Sequence, residues 1–147
     1  TQSARTYIES HFDQPLDHII RGVGRACRAT RGVVIALARF DWSESKLTFA
    51  GIGNIETRLI GDPSLTRFFM PRGIVGGQAP MPRVTEQRWS PSNVLIMHSD
   101  GLRSHWRWDE FSHLIGKSAN DTAQELLRVL GKDNDDATVA VVKKAGA

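Results

Sequence analysis

A single cysteine, Cys27, stands in a chain of 147 residues. That excludes an intrachain disulfide framework and a cysteine-based zinc cluster, and it makes a reducing cytoplasm the expected setting. Long apolar runs are missing too. None approaches the roughly 18–20 residues a membrane helix needs, so no membrane association is expected. The opening TQSARTYIES lacks the charged-then-apolar pattern of a secretory signal. It also lacks an initiator Met, so a start inside a longer gene product or after processing is expected. No basic run is interleaved with aromatics, so no nucleic-acid partner is expected. GIGN at 51–54 is followed by neither a P-loop Lys nor GxGxxG spacing, so it is not a phosphate-cradling loop. No internal repeat and no linker composition interrupts residues 1–147, which are read as one domain.

What is present suits a packed core: the length is that of one domain and the apolar share, 40%, is ordinary for a globular protein. The formal charge is +3, carried mostly by arginine, which favours planar anions. Arg21, Arg25 and Arg28 repeat at i, i+4, i+7, on one helical face. They form either a solvated face or a docking surface for an acidic or phosphorylated partner.

Residues 4–12 read as a short helix. In DQPLDHIIRGVGRACRAT, Asp13 can cap and Pro15 suits a first turn. Leu16, Ile19, Ile20, Val23 and Cys27 follow at helical spacing; Gly22 and Gly24 weaken this helix unless a close packing contact needs them. The period then changes. GVVIALARF (32–40) reads as a largely buried strand and KLTFAGIGN (46–54) as its antiparallel hairpin partner across DWSES. IETRLI (55–60) alternates as a half-buried strand does. LTRFFM (65–70) is a strand candidate after the Gly61-Asp62-Pro63 turn, and residues 71–82, rich in Pro and Gly, are a loop. VTEQRW (84–89) and NVLIMH (93–98) are two more strands around SPS. WDEFSHLIG is a short helix. NDTAQELLRVLG is a longer one, with Asn120 or Asp121 as cap, Thr122 and Glu125 at capping-box spacing, and Gly131 past its end. ATVAVVKK is the last strand. The order predicts an α+β fold, an antiparallel β-sandwich flanked by helices.

Two acidic sites share a local grammar. VLIMHSDGL puts Asp100 directly after an apolar strand; GKDNDDATVAVV puts Asp135 and Asp136 directly before one. If the two strands are antiparallel neighbours, Asp100 and Asp135 converge at one sheet edge. Such carboxylates repel, and a hard divalent cation, Mg²⁺ or Mn²⁺, stabilises their ionised state. The plain alternative is that Asp-Gly makes a turn and Asp precedes a strand for local reasons.

VLIMHSDGL and DDATVAVV, in this order and separation, resemble motifs of the metal-dependent PPM serine/threonine phosphatases, in the SpoIIE-like branch. TRGVVIALARFDWSESKLTFAGIGNIETRLI and RGIVGGQ look closest to the small RsbX-like phosphatases of bacterial stress signalling. The resemblance runs from about residue 15 to 143. It implies a centre of two Mn²⁺ or Mg²⁺ ions whose bridging water attacks phosphorus. By position in the motifs, Asp100 and Asp135 are the implied metal ligands. Asp136 and Gly101 support them, Asp133 is solvated, and Asn54 is a substrate-side candidate at a turn. It further implies a phosphorylated STAS-type regulator as substrate and partner. One family feature has no counterpart: an upstream strand–Asp-Gly–helix motif, since the only Asp-Gly is Asp100-Gly101. The chain is therefore expected to be an N-terminally incomplete SpoIIE-like domain that binds metal weakly, has little activity, and self-associates through unpaired edges. The competing reading is a non-catalytic regulatory module that binds protein on the same scaffold.

The remaining candidates have plainer readings. His98 is a strand-end histidine bonded to backbone, or else a ligand or acid. His105 and His113 flank a segment in which Trp106 and Trp108 pack a helix on the sheet. Cys27 faces the core. The RGIVGGQ glycines serve tight turning, or a loop that flexes over the site.

Overall fold

The structure, a computed structural model, describes residues 2–61, 65–77 and 80–144, without the side chains of 65–67. Asp62 and Pro63 of the expected turn and Gln78 of RGIVGGQ lie outside the described residues. The chain divides into two compact units, Thr1–Ile55 with Phe69–Trp89, and Glu56–Phe68 with Ser90–Ala147. The units alternate along the sequence, so no linker composition marks the passage between them.

In the first unit, helices α1 (Gln2–His11) and α2 (Leu16–Ala26) accompany a three-stranded antiparallel sheet of order β1-β2-β5. Strand β1 is Ile35–Asp41, β2 is Lys46–Ile52 and β5 is Thr85–Arg88. The apolar stripe of α2 meets its expected fate: Leu16, Ile19, Ile20 and Val23 are buried with Cys27, against Ile35, Ala50, Ile52 and Val75. Each such aliphatic side chain contributes about 1.5–3 kcal/mol by leaving water. Gly22 is explained by the other helix. A Cβ there would stand 2.0 Å from the Tyr7 ring. Asp13 does not cap α2; Pro15 occupies the cap position and no side chain caps the helix. Strand β1 pairs with β2 as the hairpin predicted, Ile35 opposite Ile52 through Asp41 opposite Lys46. It is only half-buried, however, with Ile35 alone fully covered, because it lies at the end of its sheet.

In the second unit, β3 (Glu56–Ile60), β4 (Leu65–Arg67), β6 (Val94–His98) and β7 (Val139–Lys143) form an antiparallel sheet of order β4-β3-β6-β7. A 3-10 helix, Trp108–Leu114, and α3 (Ala119–Leu130) accompany it. Ile60, Val94, Ile96, Leu102, Trp106, Phe111, Leu114, Leu126 and Leu130 make its core. The cap of α3 is neither Asn120 nor Asp121. Ser118 holds the position and its side chain accepts from the Asp121 amide at 3.0 Å. Gly131 closes the helix as expected, its amide donating to Leu127 O. Lys143 anchors the end of the 3-10 helix from β7, with Nζ donating to the carbonyls of Leu114, Ile115 and Lys117 at 3.3, 3.3 and 2.7 Å. Burial holds its ammonium below the ordinary lysine pKa.

The α+β class, with antiparallel sheets and attendant helices, is what the sequence led us to expect. The notable departure is in β3. IETRLI alternates in polarity, yet Thr57, Arg58, Leu59 and Ile60 are all buried. Alternation put Arg58 on a wet face; the structure gives it partners inside. No helix among the described residues is long and apolar enough to cross a membrane.

Candidate functional site

The register of β6 with β7 decides the geometry of the acidic edge. The strands are antiparallel, with His98 opposite Val139. The ladder continues past the strand ends: the Ser99 amide donates to Thr138 O at 3.0 Å, and the Thr138 amide donates to Ser99 Oγ at 3.0 Å. Asp100-Gly101 therefore leaves the sheet beside Asp135-Asp136. The approach is close enough that a Cβ on Gly101 would stand 2.0 Å from Asp136 O and 2.8 Å from Ala137 Cα. Gly101 is in this position because only a residue without a side chain lets the two backbones meet. The predicted convergence of the two carboxylate-bearing turns is what the strand pairing produces.

The loop from Gly131 to Thr138 wraps the same edge. Leu102 and Gly131 form a β-bridge. The Arg103 amide donates to Leu130 O and the Lys132 amide to Gly101 O, both at 2.9 Å. Lys132 Nζ donates to the Asp100 carbonyl at 2.7 Å. Asn134 takes the left-handed conformation, φ 61°, that reverses the chain ahead of the aspartates. Asp100, Asp133, Asp135 and Asp136 are all exposed. Asn54 belongs to the other compact unit, exposed in the bend after β2. The Val33–Val75 bridge anchors RGIVGGQ, amide to carbonyl in both directions at 2.8 and 2.7 Å, with Val75 buried. Its middle is thereby packed into the core of the first unit. On α2, Arg21 pairs with Asp17 at 3.2 Å and Arg25 is exposed; Arg28, also exposed, lies in the turn beyond the helix end at Ala26, so the expected three-arginine helical face is cut short.

Behind the edge lies a buried polar chain that the sequence did not disclose. His98 Nδ1 bonds the Ser99 carbonyl at 2.8 Å, the backbone role expected of it. Its Nε2 accepts from Trp106 Nε1 at 3.1 Å. The Trp106 ring lies beneath the Arg58 guanidinium, 3.9 Å from its centroid. Arg58, 1% exposed, donates to Glu56 Oε1 at 2.6 Å and to the carbonyls of Trp106 and Ser104 at 2.6 and 2.7 Å. Trp106 and Trp108 pack against the sheet as expected, and His105 and His113 are exposed.

The metal expectation is tested by the donor set. A Mg²⁺ ion takes six oxygens in near-ideal octahedral geometry, usually from one or two carboxylates with several waters, and a two-metal centre needs further bridging carboxylates. Among the described residues no group of three or more His, Cys, Asp or Glu side chains is placed to hold a metal ion. Asp100 and Asp135 can serve as one wall of a cation site, and they do not complete a two-metal centre.

Comparison with solved structures places this geometry in a known architecture. One similar chain was solved in work on the bacterial stressosome as a modular system adapted to control secondary messenger signalling. It superposes with a TM-score of 0.86 at 23% identity, over 95% of this chain and 73% of that one. RsbX in complex with magnesium gives a TM-score of 0.80 at 18% identity, over 95% and 69%. The Mycobacterium tuberculosis serine/threonine phosphatase PstP gives 0.71 at 16%, over 98% and 81%. The fold is PPM-phosphatase-like. At these identities the likeness establishes the architecture alone. No protein-family model matches the sequence, and no curated protein matches it. Within a PPM-like fold, the strand-end aspartates of β6 and the β7 approach are the part of the surface where the sequence also carries its acidic motifs.

Proposed function

We propose that this chain carries the Asp100/Asp135 wall of a metal-dependent phosphatase acting on phosphoserine or phosphothreonine of a regulatory protein. The observation that supports it is the β6–β7 register, which brings the SDG and DNDDAT turns to one sheet end with Gly101 against the Asp136 backbone. Mn²⁺ or Mg²⁺ is the cofactor in this reading, since oxygen-only donors suit hard cations. Asp136 and Gly101 shape the loop around the two ligands. The substrate proposed is a phosphorylated STAS-type regulator of a bacterial sigma-factor or stressosome switch, in the cytoplasm; the stressosome and RsbX likenesses support that choice by analogy of fold. Further carboxylates must join Asp100 and Asp135 for a two-metal centre, so this chain by itself is expected to bind Mn²⁺ weakly and release phosphate slowly.

The test is Mn²⁺-dependent phosphate release from a phosphorylated STAS-domain protein by the protein. Asp100→Ala and Asp135→Asn are expected to abolish it. Equal release by both variants and the wild type overturns the site assignment.

A second reading is favoured by one observation, the lack of a three-ligand cluster among the described residues. In it the PPM-like scaffold binds the regulator without catalysis. Saturable binding of the phosphoprotein with no phosphate release at any Mn²⁺ concentration would support that reading over the first.

A further inference from the structure

We propose that Arg58 is a positioning residue for the Asp100 edge, acting through Trp106 and His98. This rests on the reading of Asp100 as a ligand. The path is continuous, and Arg58, Trp106 and His98 on it are buried. Trp106 Nε1 can only donate, so the His98 Nε2 that faces it at 3.1 Å carries no hydrogen. The other nitrogen, Nδ1, is then the N–H, and it donates to the Ser99 carbonyl at 2.8 Å. Ser99 immediately precedes Asp100, and its amide and hydroxyl are already held by Thr138. The Ser99 carbonyl also accepts from the Leu102 amide at 3.3 Å, so all three polar groups of Ser99 are held where the backbone passes into Asp100.

Trp106 is itself held from below. The Arg58 fork gathers the Ser104 and Trp106 carbonyls while its plane covers the indole. A guanidinium suits this task because its donors are coplanar and fixed, so one side chain can tie two carbonyls and stack at once. Glu56, two residues earlier on β3, balances its charge. Arg58 is nearly fully buried, and a buried cation is retained only where its surroundings satisfy it. Here they are the segment that follows Asp100-Gly101. Groups bonded directly to metal ligands orient the donor, and their loss weakens metal affinity about 10–100-fold; Arg58 stands further out, acting on Ser99 next to Asp100 through Trp106 and His98.

The discriminating variant is Trp106→Phe, which keeps a ring under Arg58 and removes the donor to His98 together with part of the indole's buried volume. Three readouts are needed on the whole chain: circular dichroism, amide hydrogen exchange, and Mn²⁺ titration followed by paramagnetic broadening of the Asp100 and Asp135 amides. The expected result is a folded protein in which Leu102, Arg103 and Lys132 amides exchange faster while Val33 and Val75 are unchanged. The Mn²⁺ concentration for half-broadening should rise, by up to about tenfold, the low end of the effect of direct ligand partners. Arg58→Lys, which keeps the charge and loses the fork, should move the same readouts in the same direction and covers the case in which Trp106→Phe does not fold. Unchanged exchange at Leu102, Arg103 and Lys132, or faster exchange with unchanged Mn²⁺ response, overturns the proposal. Failure of the ligand reading looks different: Asp100→Ala would leave the Mn²⁺ response of the wild type intact.

Discussion

Gly101 has no room for a side chain. A methyl group there would enter the Asp136 carbonyl and the Ala137 Cα, both backbone, so nothing nearby can rotate away. Gly101→Ala is expected to cost about 1–3 kcal/mol, as overpacked sites do, and to separate the two acidic turns. Urea denaturation checks the first effect, and loss of the Lys132 amide bond to Gly101 in hydrogen exchange checks the second. At this scale the Asp-Gly dipeptide was visible in the sequence as a turn signal, and its closeness to Asp136 was not. Arg58 is the opposite case. Its neighbours in sequence made it look like an outward polar residue of an alternating strand. Its carbonyl partners come from 46 and 48 residues further along the chain, and no local pattern encodes a partner at that distance.

Among the elements, the amphipathic helices and the β1–β2 hairpin were legible because their signals are local: helical spacing in α2, and two apolar runs separated by a polar turn. The turn itself carries a pH signature. Asp41 Oδ1 accepts from Ser43 Oγ at 2.7 Å and from the Glu44 amide at 3.0 Å. Chiefly the Ser43 bond, then the Glu44 amide, hold this carboxyl below its ordinary value of 3.8. A carboxylate depressed in the folded state contributes stability above its unfolded pKa and loses it as pH falls through the folded value. The hairpin is therefore expected to lose this contribution below about pH 3.8. Asp41→Asn should flatten the acid limb of a melting-temperature profile and leave the neutral region's pH dependence unaltered. Caps were read less well than helices. Asp13, Asn120 and Asp121 have the right chemistry for caps, yet Ser118 is the one whose oxygen meets an orphan amide. Several residues near a helix start can cap it, and backbone direction chooses among them.

For the whole molecule, each sheet ends in strands with one open side among the described residues: β1 and β5 in one, β4 and β7 in the other. Strand β7 is apolar and partly exposed, a template for another strand. The chain is expected to self-associate, seen as a sedimentation coefficient that rises with concentration. Ala140→Lys, at an exposed position on β7, should suppress that rise by putting charge on the edge; a concentration-independent wild type would sink the prediction. The sequence by itself determined the α+β class, most of the elements, and the two acidic motifs, because helical and strand periods and turn residues are properties of neighbours. Tertiary structure alone decided which strands pair, and so that Asp100 and Asp135 share an edge. It also decided that the chain separates into two units interleaved in sequence, and that a buried arginine ties down the segment after Asp100. Those outcomes depend on contacts between residues far apart in the chain, where register and burial are settled by the packing of whole elements rather than by the preferences of any one of them.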